Sequence, residues 1–234
     1  MIEILGGVMA GVVTEAGSAV ADFKVGDEVY AMDGMKMGGY AEYATFSSHK
    51  AVWHKPKNAS FEEAVSILFG GSAAWYYLEK ARLKQAKNIL VYGASGAVGT
   101  SAVQIAHMHE VKVTAVCSED GEGLVKSLGA STVIDYKKED FTRIGETFDI
   151  LFDAVGHTSK KACAMLLSEQ GTFTTVDSLD VAKERKEDLK LLTEWYEQGK
   201  LTAVIDRIYP LDEIVQAHEY VDTGRKKGSV VVVV

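Results

Sequence analysis

The residues most able to carry chemistry lie in one short run, Gly93-Ala94-Ser95-Gly96-Ala97-Val98-Gly99. It follows the apolar stretch Ile89-Leu90-Val91-Tyr92 and precedes Thr100-Ser101-Ala102-Val103-Gln104-Ile105-Ala106, whose apolar residues recur at helical spacing. A strand, a glycine-rich turn and a helix in that order form the fingerprint of a dinucleotide pyrophosphate site. Each small residue has its own task. Gly93 and Ala94 allow a tight turn, Gly96 lets a ligand approach the backbone, and Gly99 lets the helix pack close to the strand. The first turn of the helix then offers unpaired N–H groups and the positive end of its dipole to phosphate oxygens. A glycine turn needed only for packing is the plainer reading. The surrounding strand and helix favour the cofactor.

The second candidate position is the end of the next strand, Val113-Thr114-Ala115-Val116-Cys117, where charge distinguishes NADH from NADPH. Ser118 is neutral and can donate to a 2′-phosphate, which favours NADPH. Glu119 and Asp120 follow at once and could hold ribose hydroxyls as in NADH-dependent proteins, or simply favour the start of a helix.

The positioning elements come from the rest of the pattern. Residues 1–55 are rich in glycine and short β-type runs, with strands expected at 11–15, 27–31 and, more loosely, 40–46. Ser60-Phe61-Glu62-Glu63 reads as a capping box that opens a helix, and a second helix is expected near 72–82. Strands at 89–92, 112–117, 132–135, 148–153 and 171–176 alternate with helices at 97–109, 120–128, 138–144 and 158–167. Such alternation implies a parallel sheet covered on both faces. Helices at 184–198 and 211–222 and strands at 203–208 and 229–234 complete the chain.

Bulk properties narrow the partners. The chain has 234 residues and a net charge of −8, with 47% hydrophobic and 25% charged residues. An acidic surface repels phosphate backbones, so no nucleic-acid partner is expected. No apolar run approaches the roughly 18 residues of a membrane span, so no membrane partner is expected. The two cysteines, Cys117 and Cys163, form neither a CxxC nor a Cys/His cluster, which disfavours a structural zinc and a disulfide framework. With no signal-peptide pattern at the N-terminus, a cytoplasmic location is expected. The six histidines are scattered; His107 and His109 are read as surface residues.

Taken together, several stretches resemble the medium-chain dehydrogenase/reductase superfamily, in its zinc-independent quinone-oxidoreductase-like branch. They are Ala10-Gly11-Val12-Val13-Thr14-Glu15-Ala16-Gly17, Phe23-Lys24-Val25-Gly26-Asp27-Glu28-Val29-Tyr30, Gly38-Gly39-Tyr40-Ala41-Glu42-Tyr43, Phe69-Gly70-Gly71, the 93–99 turn, Leu128-Gly129-Ala130, Val133-Ile134-Asp135-Tyr136 and Phe152-Asp153-Ala154-Val155-Gly156. The resemblance implies an α/β fold: a doubly wound Rossmann sheet over 61–200, plus a partial GroES-like β-barrel domain formed by 1–60 and 201–234. It implies that Ser118 and Tyr136 flank the adenosine 2′-phosphate, and that Val155, Gly156, Thr174, Thr175 and Val176 line the ribose and nicotinamide. Asp153 reads equally well as a polar strand-end residue without ligand contact. Zinc-dependent relatives carry Gly-His-Glu where this chain has Gly6-Gly7-Val8, so no metal site is expected.

The activity implied is NAD(P)H-dependent reduction of a quinone or activated double bond, with NADPH preferred, a small-molecule substrate and scope for a homodimer. No catalytic acid or base is assigned, Tyr40 included. The chain departs from the family in its late start within the barrel, in a shortened segment after Val176, and at two site positions. Ala73 stands where many members have threonine, and Gly121 stands where a basic residue often supports the 2′-phosphate. These departures keep open an alternative: a catalytically impaired NADPH-binding sensor or interaction protein.

Overall fold

The computed structural model describes residues 4–33, 37–178 and 182–234. The chain divides into two compact units, residues 1–72 with 183–234 and residues 73–182.

In the first unit, β1 (Val8–Val12), β2 (Glu28–Met32) and β3 (Val52–His54) form an antiparallel sheet in the order β1-β2-β3. Phe23, Ala31 and Val52 make its small core. The third strand lies at 52–54. Residues 40–46, expected as a strand, are irregular. The reason is local. Gly38 takes φ +100, and the backbone of 38–40 is bonded to residues 4–6 through Gly38 N–H to Ile4 O, Gly39 N–H to Gly6 O and Tyr40 N–H to Leu5 O. This contact turns the chain out of the β2–β3 ladder.

The capping box is present as read. Ser60 N–H donates to Glu63 Oε2 at 2.8 Å, and Glu63 N–H donates to Ser60 Oγ at 3.1 Å. It opens α1 (Phe61–Lys80), one continuous helix rather than two. The Gly70-Gly71 pair does not break it. A Cβ on Gly71 would lie 2.7 Å from Leu192 Cδ2, so the glycine serves helix packing.

The second unit holds β4 (Asn88–Tyr92), α2 (Ala97–Met108), β5 (Lys112–Cys117), α3 (Glu119–Ser127), β6 (Thr132–Asp135), β7 (Phe148–Asp153) and β8 (Leu167–Thr175). All neighbouring strands are parallel, in the order β6-β5-β4-β7-β8. This is the doubly wound Rossmann arrangement: the chain runs outward from β4 to β6, then returns to the other side of β4. Fully buried Ile89, Leu90, Val91, Val113, Ala115, Val116, Leu151 and Phe152 explain why these strands read as apolar runs rather than alternating ones.

Two expected helices are reduced to short turns. At 138–144 the helical part is a single 3-10 turn, Phe141–Arg143. Asp140 accepts from Thr142 N–H at 3.0 Å and from its hydroxyl at 2.6 Å, which gives the backbone a turn in place of a helix. At 158–167 only Ala164–Leu166 forms a 3-10 turn. Cys163 and Leu166 are drawn into the core beside Phe148 and Leu151, and Leu167 already pairs with Phe148 in the sheet. Strand β8 therefore begins four residues before its expected start at 171.

The chain returns to the first unit with α4 (Lys186–Glu197), β9 (Ile205–Pro210), α5 (Ile214–Asp222) and β10 (Ser229–Val233). Strands β9 and β10 pair in parallel. The fully buried Tyr30 joins β2 to α4, donating to Leu189 O at 2.6 Å with Thr193 Oγ1 at 2.8 Å. Burial pushes its hydroxyl well above the usual tyrosine range.

Candidate nucleotide site at the carboxyl edge of the parallel sheet

The register aligns Tyr92 with Val116 and Asp153, Cys117 with Asp135, and Asp153 with Thr175. The strands thus end together, and the residues singled out from sequence follow those ends along one edge. The 93–99 turn follows β4, Ser118 follows β5, Tyr136 follows β6, and Val155 and Gly156 follow β7. Thr174 and Thr175 close β8, and Val176 N–H bonds to Asp153 O at 3.1 Å. Ligands of open α/β sheets bind in the crevice at this edge, where the strand order reverses.

The glycines of the turn differ in what surrounds them. Gly93 takes φ +76, and a Cβ there would lie 2.6 Å from Val155 Cγ1. A Cβ on Gly99 would lie 2.7 Å from Ala94 Cα, so the helix sits against the turn as the sequence pattern requires. Gly96 is different: a Cβ there would meet nothing nearer than Gly93 O at 3.5 Å. Space is left above its backbone. Gly96 is also the N-cap of α2, and as a glycine it places no side chain over the N–H groups of the helix's first turn. These features fit a pyrophosphate group held by the first turn of the helix.

Asp153 is fully buried. Its Oδ1 accepts from the N–H groups of Val155 at 3.1 Å and Gly156 at 2.8 Å, and its Oδ2 accepts from Thr158 N–H at 2.8 Å. The carboxylate folds residues 155–158 around itself and so sets Val155 against Gly93. Sequence reasoning left this role undecided. The signal was an acid at a strand end followed three residues later by a glycine. Beyond it, Thr174 and Thr175 line a cleft of about 280 Å³ with Tyr77, Lys80 and Phe173.

After β5, Ser118 caps α3 without using its hydroxyl for the cap. Tyr136 N–H reaches Cys117 O at 3.3 Å; its ring is half-exposed, with its centroid 6.3 Å from that of Tyr92. Lys126 pairs with Glu122 at 2.6 Å and Lys138 with Glu119 at 2.9 Å.

Tyr40 belongs to the other unit. It lines an apolar groove with Ile4, Leu5, Ile214 and His218, its ring centroid 5.9 Å from that of His218. Burial raises its hydroxyl pKa. The Gly6-Gly7-Val8 stretch packs backbone to backbone on Gly39, where a Cβ would lie 2.9 Å from Gly6 O and Val8 O. Among the described residues no three His, Cys, Asp or Glu side chains gather in a way that could hold a metal ion. No helix among them is long and apolar enough to cross a membrane. His109 is not the surface residue expected: its ring stacks on Trp75 at 5.9 Å.

Comparison with known proteins agrees with this geometry. The alcohol dehydrogenase GroES-like domain family matches residues 3–57, and the zinc-binding dehydrogenase family matches 128–186 and 178–232. A mitochondrial NAD(P)H oxidoreductase of Bos taurus is 30% identical over 276 residues, an alignment covering 97% of this chain and 69% of the relative. This chain belongs to the medium-chain dehydrogenase/reductase superfamily. Within that superfamily it is quinone-oxidoreductase-like. The solved quinone oxidoreductase from Coxiella burnetii matches with a TM-score of 0.91 and 29% identity, over 98% of this chain and 79% of that one. The 2-methylene-furan-3-one reductase of Solanum lycopersicum is 39% identical over 240 residues, or 96% of this chain. The chain spans 62% of that relative's length. The bovine alignment is longer than this chain, so that superfamily member carries additional residues inside the matched span.

Proposed function

We propose that this chain is an NAD(P)H-dependent oxidoreductase that reduces a quinone or an activated carbon–carbon double bond without zinc. The observation that carries the reading is the turn at 93–99: open above Gly96, closed at Gly93 and Gly99, and set on the first turn of α2. The residues proposed to hold the dinucleotide are Gly93 to Gly99 at the pyrophosphate, Ser118 and Tyr136 at the adenosine 2′ position, and Val155, Gly156, Thr174, Thr175 and Val176 at the nicotinamide ribose. A bound nicotinamide supplies a hydride to an electrophilic carbon. The protein's part is to bind and orient. Asp153 fixes the loop carrying Val155 and Gly156, and the first turn of α2 supplies N–H groups and dipole. No side chain is assigned as proton donor.

The substrate class draws support from the names of the relatives, a furanone reductase and a quinone oxidoreductase. Zinc independence draws support from Gly7 and Val8, which carry no metal-binding groups. NADPH is proposed over NADH because Ser118 presents an uncharged hydroxyl that is not used as a cap. A cytoplasmic location is proposed from two buried, unbridged cysteines, as suits a reducing compartment, and is checked by cell fractionation. Pairing into a homodimer is proposed by analogy with the superfamily, and light scattering at two concentrations checks it.

The testing experiment is a titration of the purified chain with NADPH and NADH, read by nicotinamide fluorescence, followed by a simple quinone and a simple enone. Binding followed by consumption of NADPH supports the reductase. Binding without turnover supports the second reading, an NADPH sensor or interaction protein; what favours that reading is the additional length of the bovine relative within the matched span. Failure to bind either nucleotide overturns both.

A further inference from the structure

The adenosine end of the site contains both signs of charge, and the structure shows how they are arranged. The position where family members often carry a basic residue, Gly121 in the first turn of α3, is closed. A Cβ on Gly121 would lie 2.7 Å from Ser95 Cβ and 3.3 Å from Cys117 Sγ, so a side chain there would push against the pyrophosphate turn. Lys126 is drawn along the helix to Glu122. Lys138 comes from the other side, out of the turn after β6, and its Nζ lies 2.9 Å from Glu119 Oε2 and 3.8 Å from Asp135 Oδ2. Glu119 directly follows Ser118, whose hydroxyl makes no cap hydrogen bond. Both partners are more than 60% exposed. Exposed pairs of this kind are weak and readily exchange partners.

Resting on the cofactor reading above, we propose that Glu119 and Lys138 form an exchangeable pair that sets nucleotide choice. With NADPH, Lys138 leaves Glu119 and joins Ser118 and Tyr136 on the 2′-phosphate. With NADH, Lys138 stays neutralised beside the strand end, and Glu119 is the acid available to the ribose hydroxyls. The chain thereby accepts a 2′-phosphate without the cation that Gly121 has displaced. The same pair predicts a modest rather than absolute preference for NADPH, because an acid remains next to the phosphate position.

The test uses the whole chain and two exposed substitutions, Lys138→Gln and Glu119→Gln, with NADPH and NADH titrated by fluorescence and 2′,5′-ADP and 5′-AMP as competitors. Lys138→Gln is expected to weaken NADPH and 2′,5′-ADP about tenfold while leaving NADH and 5′-AMP within about twofold, as for loss of one charge-assisted contact. Glu119→Gln is expected to tighten NADPH and weaken NADH, moving the ratio the opposite way. Added salt should shrink the NADPH advantage of the unsubstituted chain and leave the Lys138→Gln ratio nearly flat. Equal changes for both nucleotides, or an unmoved ratio in both variants, overturn the exchange pair while leaving the cofactor reading intact. An unsubstituted chain that binds neither nucleotide overturns the cofactor reading and this inference with it.

Discussion

At the scale of single residues, the site depends on contacts that tolerate little change. Asp153 is buried and accepts three backbone N–H groups. Asp153→Ala leaves those donors without their acceptor, and a stability loss of about 3 kcal/mol is expected in urea unfolding. Asp153→Asn is expected to lose less, because one oxygen is kept while the amide N–H₂ faces a backbone donor. Gly99→Val is expected to cost about 3 kcal/mol and abolish nucleotide binding, since its Cβ alone would lie 2.7 Å from Ala94 Cα. Gly96→Ala separates the two roles. Its Cβ meets no close atom of the protein, so the fold should keep its melting temperature within about 2 °C while NADPH affinity falls. Equal melting temperature with unchanged affinity would remove Gly96 from the pyrophosphate site.

At the scale of elements, two junctions hold the strands and helices in register. Ser60→Ala removes one half of the capping box of α1 and is expected to cost about 1 kcal/mol in chemical unfolding. The second junction is Asp149 on β7, which accepts from Lys87 N–H at 2.8 Å and Ser168 Oγ at 3.1 Å, tying β7 to the start of β4 and to β8. The Lys87 N–H, more than any other contact, holds its carboxyl below the usual aspartate range. A group with a depressed folded-state pKa stabilises the fold above its unfolded value and loses that contribution as pH falls through the folded one. Asp149→Asn replaces one of the two accepting oxygens that hold Lys87 N–H and Ser168 Oγ, and loss of that hydrogen bond should cost about 1 kcal/mol at pH 7. The gap from the unsubstituted chain should narrow below the ordinary carboxylate range, as measured by thermal melts across pH.

At the scale of the whole molecule, a ligand that binds only the folded chain stabilises it by mass action. NADPH at about one hundred times its dissociation constant should add about 2.7 kcal/mol and raise the melting temperature. NADH at the same concentration as NADPH should stabilise less, because its dissociation constant is expected to be larger.

Much of this was legible in the residues alone. The strand–turn–helix at 89–106, the capping box at Ser60 and Glu63, and the parallel sheet follow from patterns confined to a few neighbouring positions, where steric and hydrogen-bonding rules act locally. The same reasoning failed where distant groups intervened. The stretch at 158–167 has helical composition, but Cys163 and Leu166 are drawn into the core beside Phe148, and the backbone extends to meet β7. The stretch at 40–46 alternates like a strand, yet residues 38–40 are held by residues 4–6. Gly71 could have broken a helix; the close approach of Leu192 explains why it instead sits within one. The residue types along the carboxyl edge of the sheet and their order were determined by the sequence itself. Only the tertiary structure decided that Ser95 closes the Gly121 position and that Lys138, from the turn after β6, reaches Glu119 at the start of α3. Each of these depends on which strands lie side by side, and strand order is a property of the packed sheet that no local spacing encodes.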